Sequence, residues 1–399
     1  MRILIKSLLL LMLISLCVAS ISRPIFANRK VRQAAKKYYC PPCASPCDDQ
    51  VFDKPGICPV CGMTLVDKEG LDRIIAENKA AEKSIPTVAI LIFNSVQIID
   101  YSGPYEVFGE AGFKVFTVAE KADPITTVFG QKVTPTYSFE NSPKPDILLI
   151  PGGGVRGSQD DPMVIKWIQD TAKDAKYVMS VCNGAFILAQ TGLLDGLSAT
   201  TTDHNIPRLA QAFPKVKVVD DQRYTDNGKI LTTAGLSSGI DGALHLVAKI
   251  RGTGQAEATA LGMEYRWEPN STFARAALAD KLMPQIFGTD LKGSLESTEG
   301  DLNQWEIRFT VTEPASAAEI MDRITKRVTS DPYGSGKVKW MPENSSQASG
   351  SLNTEKSWQF TDERGRSWAA TTKLKSGSNR TNTLTIKVAR EQKTATETK

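Results

Sequence analysis

The chain has 399 residues, of which 41% are hydrophobic and 23% charged, so it is long enough for two or three domains and lacks the composition of a disordered or fibrous protein. Its 48 basic and 44 acidic residues nearly balance at a formal charge of +4, and no helix-turn-helix pattern is apparent, so we expect no nucleic-acid partner. The sequence contains two histidines, His204 and His245, which excludes any centre that needs three histidine ligands.

Residues 1–27 have the features of a secretory signal peptide, with a positively charged start followed by the largely apolar run Leu8–Ala19. This run is shorter than the roughly 20 residues that a membrane-spanning helix needs. A lipid anchor on Cys17 is less expected, because Leu16 stands where lipoprotein signals usually carry a small residue. We therefore expect an exported protein, either periplasmic or secreted.

The segment 39–66 is rich in cysteine, proline and glycine, and a segment of this size needs a metal or disulfides because it cannot build its own core. Two pairs of cysteines with two intervening residues are typical of metal-binding knuckles, and a fifth cysteine lies between the pairs. Thiolates suit both Zn(II) and Cu(I). Disulfides are the alternative in an oxidising compartment, and redox exchange is a third. The candidate ligands are Cys40, Cys43, Cys47, Cys58 and Cys61.

The stretch Tyr39–Cys43, together with Pro55–Leu65, resembles the small heavy-metal-binding domain found on copper and heavy-metal efflux proteins. That family usually has histidine where Cys43 stands, so the ligand set of this segment is softer. The resemblance implies a bound metal ion with a structural or sensing role.

Residues 67–85 are charged, with apolar residues at helical spacing, which predicts a helical linker. From Thr87 onward, short apolar runs alternate with amphipathic helices. This alternation indicates an α/β domain over residues 86–255, with a parallel sheet covered on both faces. The predicted strands are Val88–Phe93, Val115–Ala119, Ile147–Ile150, Tyr177–Val181 and Ile230–Thr233. The predicted helices are Pro104–Ala111, Pro162–Lys173, Gly184–Gln190, Ile206–Phe213 and Ser238–Ile250.

The C-terminal part of the chain has a different pattern. Residues 256–290 are predicted to form a helical extension that ends near Gly288. Residues 301–390 are predicted to form a small α+β domain, for which a protein partner is one hypothesis. Its predicted elements are the strands Trp305–Val311, Ser357–Phe360 and Thr383–Val388 and the helix Ala315–Val328.

Cys182 lies between a predicted buried strand and the helix that begins at Gly184. A nucleophile at such a turn is exposed above the sheet on a strained backbone, and the positive end of the helix dipole favours the thiolate. We therefore expect Cys182 to be ionised near neutral pH and open to small molecules. A lone cysteine is more often a small buried hydrophobic residue, which is the alternative interpretation.

Two further features accompany Cys182. Gly152–Gly154 follow another predicted strand, so the N–H of Gly153, together with that of Asn183, is a candidate oxyanion hole. Asp100 precedes a predicted helix, where aspartate is a common cap. As a functional group, its carboxyl is expected to face the thiol and share or relay a proton.

Seven stretches in this order resemble the DJ/PfpI superfamily, which has the class I glutamine-amidotransferase-like fold, and in particular its isonitrile-hydratase-like and regulator-type members. They are Val88–Phe93, Asp100–Phe108, Asp146–Gly154, Ser180–Ala185, Gly192–Gly196, Ala199–Thr201 and Thr233–Asp241. The resemblance implies a flavodoxin-like parallel sheet, a homodimer, and Cys182 on the elbow with Asp100 as its acidic partner.

The sequence departs from the family at two positions. Protease-like members have histidine directly after the cysteine, where this chain has Asn183, so proteolysis is not expected. The isonitrile hydratase has threonine there, which weakens that assignment as well. Members with a histidine after the Ala-Thr-Thr run would place it at Thr202, whereas the nearest histidine here is His204.

These features predict a cysteine-dependent hydratase, hydrolase or lyase acting on a small electrophile. Cys182 would attack, Asp100 would donate a proton or orient the substrate, and the Asn183 side chain would orient substrate or water. One alternative is a non-catalytic redox or metal-stress sensor, in which Cys182 is reversibly oxidised. A further alternative is a scaffold whose C-terminal domain engages a partner.

Overall fold

The computed structural model describes residues 36–286, 290–312, 314–332, 338–343, 355–377 and 381–391. The predicted signal peptide, residues 1–27, lies outside the described residues. The chain divides into one unit that ends at Ser84 and another that begins at Ile85. Within the described part, no helix has both the length and the apolar character needed to span a bilayer.

The first unit is held together by its cysteines. Three short strands form an antiparallel sheet in the order β2-β1-β3, and a helix follows the last strand directly. The buried cluster consists of Cys40, Cys47, Cys58 and Leu65, so thiols occupy most of the space that aliphatic side chains fill in larger domains. The elements are β1 Tyr38–Tyr39, β2 Val51–Phe52, β3 Val66–Asp67 and α1 Lys68–Lys83, which confirms the predicted helix after the cysteine segment.

The central domain is an α/β fold of the flavodoxin-like type. Its strands are β4 Thr87–Leu91, β5 Lys114–Ala119, β6 Ile125–Thr126, β7 Lys132–Val133, β8 Tyr137–Ser138, β9 Ile147–Ile150, β10 Tyr177–Val181, β11 Ser198–Ala199, β12 Lys217–Val218, β13 Tyr224–Asp226 and β14 Ile230–Thr233. Its helices are α2 Ile98–Glu110, α3 Arg156–Gln159, α4 Pro162–Asp174, α5 Gly184–Gln190, α6 Ile206–Ala212, α7 Ser238–Arg251 and α8 Thr253–Gly262.

The main sheet has the strand order β13-β14-β10-β9-β4-β5-β8 and is parallel except for β13, which pairs antiparallel with β14. Alternate residues of each strand point to opposite faces. One face packs on α2, α7 and α8, and the other on α4, α5 and α6. Strands β9 and β10 are neighbours, so the residues that follow them meet at the carboxyl edge of the sheet, where ligands bind in open α/β folds.

The structure confirms the central strands and corrects two helical expectations. Helix α2 begins at Ile98 and contains Pro104 in its interior, whereas we expected Pro104 to start it. The predicted helical extension over 256–290 is wrong beyond Gly262, because only short 3-10 turns follow, at Arg275–Ala277 and Ala279–Leu282. Prolines interrupt that stretch, and a proline removes a helical donor.

The C-terminal domain is a six-stranded antiparallel sheet in the order β15-β16-β20-β19-β18-β17, with α9 packed on one face. Three tryptophans, Trp340, Trp358 and Trp368, are fully buried in its core. The domain begins earlier than the predicted residue 301, because β15 starts at Gly293. Its elements are β15 Gly293–Gly300, β16 Gln304–Val311, α9 Ala317–Ser330, β17 Met341–Pro342, β18 Glu355–Thr361, β19 Ser367–Ser376 and β20 Asn382–Arg390.

Candidate active site and metal centre

Cys182 occupies a sharp turn between β10 and α5. Its φ of 59° lies in the left-handed region, which a non-glycine residue adopts at a cost of about 1–3 kcal/mol and which is common at functional sites. Hydrogen bonds hold the turn in place: the Cys182 N–H donates to the Ala234 carbonyl at 3.1 Å, and the Thr201 hydroxyl donates to the Cys182 carbonyl at 2.8 Å. The next helix starts close to the sheet, because a Cβ on Gly184 would lie 2.3 Å from the Ile150 carbonyl oxygen.

Asp100 projects from the first turn of α2 into the same site and is fully buried. Its carboxylate accepts hydrogen bonds from the N–H groups of Gly152 and Leu236, each at 3.2 Å, and from the Cys182 thiol. Asp100 therefore does not cap its helix. The structure brings together the carboxyl and the thiol, as the sequence predicted.

Burial sets the protonation of this pair. It raises the pKa of the Asp100 carboxyl to about 6, although the three hydrogen bonds to the carboxylate favour ionisation. Burial also raises the pKa of the Cys182 thiol; the negative charge of Asp100 adds to this rise, whereas the Asn183 N–H and the Thr202 hydroxyl oppose it. At neutral pH the pair therefore consists of a thiol donating to a carboxylate. The expectation that the helix terminus ionises Cys182 near neutrality is wrong, and the residue is only 8% exposed.

The Asn183 side chain does not face a substrate; it binds the loop Gly152–Gly154 that follows β9, called the glycine loop below. Its side-chain oxygen accepts from the Gly153 N–H, and its amide donates to the Gly153 carbonyl, both at 2.8 Å. The predicted oxyanion role of Gly153 is therefore wrong in this conformation, because its N–H already has an acceptor. The Asn183 N–H is directed at the Cys182 sulfur and remains a candidate donor to developing negative charge.

The glycine loop needs glycine at its centre. Gly153 has a φ of 127°, and a Cβ there would lie 2.2 Å from the Ser95 carbonyl oxygen. The loop is anchored to the segment before α2, because the Gln97 N–H donates to the Gly152 carbonyl and the Gly154 N–H donates to the Ser95 carbonyl. This contact fixes the position of Asp100 relative to Cys182.

Thr202 and Asn205 are functional candidates that we did not predict. The Thr202 hydroxyl hydrogen-bonds to the Cys182 sulfur, and the Asn205 amide donates to the Thr202 oxygen at 2.9 Å. That donation leaves the hydroxyl hydrogen free to point at the sulfur. The sequence signal was the position of Thr202, directly after the Ala-Thr-Thr run, where some relatives have histidine.

The two histidines lie away from the thiol, although the His204 ring contacts the Asn205 side-chain amide at 3.3 Å. His204 is 75% exposed and pairs with Asp203 at 3.1 Å, and Asp203 also forms an ion pair with Lys281 at 2.7 Å. His245 contacts Asp226 at 2.8 Å on the surface of α7. Neither histidine has a described contact with Cys182, so the thiol has a carboxylate partner in place of a histidine.

In the first unit, the thiols form a group that fits a metal ion. The four sulfurs of Cys40, Cys47, Cys58 and Cys61 all lie within 4.8 Å of one another. The sulfurs of Cys40 and Cys47 are 3.8 Å apart, which is close to the edge of a tetrahedron with metal–sulfur bonds of about 2.3 Å. The described cysteines form no disulfide. These four residues are the candidate ligands of one metal ion.

Cys43 is not part of this four-sulfur group. We predicted that Cys40 and Cys43 form one knuckle, but Cys47 takes that place. The Cys43 thiol instead donates to the Asp48 carboxylate at 3.0 Å, and the N–H groups of Cys43 and Ala44 donate to the same carboxylate. These bonds turn Cys43 toward Asp48, so the separation of two residues in the sequence did not identify the ligand pair.

The fold and the site define an α/β protein with a cysteine on a strand-to-helix elbow. The model of the DJ-1/PfpI family matches residues 86–249, and that of the heavy metal binding domain matches residues 37–68. The isonitrile hydratase of Pseudomonas putida is 35% identical over 187 residues, which are 46% of this chain and 79% of that protein. The chain belongs to the DJ-1/PfpI family and carries a heavy metal binding domain.

Other relatives share the central domain. The transcriptional regulator GbdR of Pseudomonas aeruginosa is 27% identical over 31% of this chain and 33% of its own length. The crystal structure of a THiJ/PfpI family protein from Pseudomonas syringae is 31% identical, covers 47% of this chain and 78% of its own, and superimposes with a TM-score of 0.44.

We predict that Asp100→Asn and Thr202→Val shift the reactivity of Cys182 in opposite directions. Removal of the Asp100 charge lowers the pKa of the thiol, whereas removal of the Thr202 donor raises it. The rate of alkylation of Cys182 by iodoacetamide at a fixed pH, followed by peptide mass spectrometry, should rise in the first variant and fall in the second by roughly tenfold, the effect of one pH unit. Thr253→Val, outside the site, is the control. Shifts in the same direction would contradict this electrostatic account.

We also predict that the stability cost of burying Asp100 appears as the pH rises. The pKa of Asp100 is raised from 3.8 to about 6 in the folded chain, so its contribution to stability is complete below about pH 4 and is lost as the pH rises through 6. Relative to Asp100→Asn, the free energy of unfolding of the wild type should fall by about 2.4 kcal/mol between pH 4 and pH 7.5. Urea unfolding at both pH values measures this change, and a difference that is constant or rises with pH would refute it.

Proposed function

We propose that this chain is a cysteine-dependent hydratase that adds water to a small electrophile, with isonitriles as the first candidates. The observation that carries the proposal is the buried Cys182 thiol donating to Asp100 on the elbow after β10. The 35% identity to an isonitrile hydratase supports the choice of substrate class. Because Cys182 is only 8% exposed, the site favours small molecules.

In the first step, the sulfur attacks the terminal carbon of the isonitrile while Asp100 accepts the thiol proton. This general-base assistance replaces a preformed thiolate. The protonated Asp100 has a pKa of about 6, which makes it a competent acid near neutral pH. It returns the proton to the same carbon, which gives a thioimidate on Cys182 and a carboxylate on Asp100.

In the second step, water adds to the thioimidate carbon. Asp100 accepts one proton of the water, the other water proton moves to the nitrogen, and the carbon–sulfur bond breaks. The sulfur recovers its proton from Asp100, and the product is an N-substituted formamide. One water is consumed for each isonitrile, and no oxidant or reductant takes part. The Asn183 N–H and the Thr202 hydroxyl stabilise negative charge on the sulfur in both steps.

The protonation of Cys182 argues against a redox sensor. Peroxide reacts with the thiolate, so sensor cysteines have a low pKa and an accessible sulfur. Cys182 has the opposite properties, since burial and the Asp100 charge both raise its pKa. A thiol of this kind needs a base at the moment of attack, and Asp100 is in position to act as one.

Export of the protein is also part of the proposal, supported by the sequence of residues 1–27. Thiols oxidise in the compartments outside the cytosol. A metal ion bound by the cysteines of the first unit would keep them from pairing at random and would hold that unit together.

We predict that purified protein converts small alkyl isonitriles to formamides and that Cys182→Ser abolishes this turnover. Asp100→Asn should lower kcat by about 100-fold or more, the usual contribution of a positioned acid or base. Gas chromatography of the formamide product measures the rate. Asp195→Asn, which changes an exposed carboxylate of the same domain, is the matched control and should retain full activity.

Circular dichroism of each variant separates loss of chemistry from loss of fold. Unchanged turnover in Cys182→Ser would refute the proposed nucleophile. A correctly folded wild type that hydrates no small isonitrile would refute the proposed substrate class.

A further inference from the structure

The five cysteines of the first unit form two overlapping groups of potential ligands. The first group is the four-sulfur set described above. The second consists of Cys40, Cys43, Cys47 and Asp48, whose ligand atoms also lie within 4.8 Å of one another. Cys40 and Cys47 belong to both groups. Their two sulfurs could therefore bridge two metal ions, one bound by each group.

The distances on the second side fit a metal as well as those on the first. The Cys43 sulfur lies 3.5 Å from the Cys47 sulfur, and the Cys47 sulfur lies 3.8 Å from that of Cys40. On the first side, the sulfurs of Cys40 and Cys61 are 3.2 Å apart. Tetrahedral coordination with bonds of about 2.3 Å places thiolate sulfurs about 3.8 Å apart, so the Cys40–Cys47 edge matches it and the other two edges are shorter.

A single ion leaves Cys43 without a role. One tetrahedral ion is satisfied by Cys40, Cys47, Cys58 and Cys61, which are the ligands of a closed site. The fifth sulfur is nevertheless held against the cluster by its bond to Asp48. Cys40 and Cys47 are buried, whereas Cys43 and Cys61, one in each group, are half-buried, so each side has a route by which an ion can enter from solvent.

We propose that the first unit binds two Cu(I) ions that share the thiolates of Cys40 and Cys47. Cys58 and Cys61 complete the coordination of one ion, and Cys43 completes that of the other. Soft thiolates suit both Cu(I) and Zn(II), and Cu(I) fits the shared site better because two monovalent ions repel each other less than two divalent ions at the same separation. Each coordinating thiol releases its proton to solvent, with Asp48 as the first acceptor for the proton of Cys43. Copper remains Cu(I) throughout.

Anaerobic titration of the reduced full-length protein with Cu(I), against a competing chelator, tests the stoichiometry. We expect two ions per chain for the wild type and one for Cys43→Ser, which retains the four-sulfur set. Ser45→Ala, in the same turn but without a ligand atom, is the matched control and should bind two. Binding of one ion by the wild type, or of two by Cys43→Ser, would overturn the proposal.

X-ray absorption at the copper edge tests whether the thiolates are shared, even if Cys43→Ser fails to fold. The wild type with two ions should show a short copper–copper vector, because both ions contact the same two sulfurs. Two bound ions without that vector would overturn the sharing. This inference rests on the metal-binding domain and not on Cys182, so its failure leaves the hydratase proposal intact, and absence of isonitrile turnover leaves the copper result intact.

Discussion

The chemistry of the central domain depends on the burial of one carboxyl beside one thiol. Exclusion of water raises the pKa of Asp100 and that of Cys182 together, so at neutral pH the pair keeps one proton, which the thiol holds and donates to the carboxylate. A water-exposed pair would separate into independent groups with ordinary pKa values. The same burial makes Asp100 an acid that returns its proton near neutral pH, which an exposed aspartate does poorly.

The surrounding backbone excludes water from Asp100 and Cys182 and fixes their relative position. Gly152 lies between the two groups, since a Cβ there would come within 2.8 Å of both the Asp100 carboxylate and the Cys182 Cβ. Asn183 ties the neighbouring Gly153 through two hydrogen bonds. Protease-like members of the family have a histidine directly after the cysteine, and that histidine can transfer protons. This chain has Asn183 there, whose side-chain amide binds the Gly153 backbone. Among the described residues, Asp100 is therefore the one acid–base group that contacts the Cys182 thiol.

Sequence patterns correctly predicted the elements that are determined by residues close together in the chain. Continuous apolar strands gave β9, β10 and β14 with correct bounds, and the strand-to-helix position of Cys182 predicted the elbow. The predictions were wrong where a contact between residues far apart in the sequence, or a competing partner, determines which way a group points. The N–H of Gly153 was expected to face a substrate, but the Asn183 side chain, thirty residues away, takes it. Cys47 replaces Cys43 in the four-sulfur group because Asp48 binds Cys43, and spacing alone contains no information about that competition.

The two cysteine sites differ in how they avoid an uncompensated negative charge on buried sulfur. A buried thiolate is unstable without a compensating charge. In the central domain Cys182 meets this constraint by remaining a thiol that donates to Asp100, and in the proposed reaction it loses its proton to Asp100 only as a bond to carbon forms. In the first unit, thiols are packed as the core itself, and ionisation becomes favourable once a cation replaces their protons. The two sites therefore differ in what would compensate the negative charge on sulfur: the proton of the Cys182 thiol in the central domain, and a metal ion in the first unit.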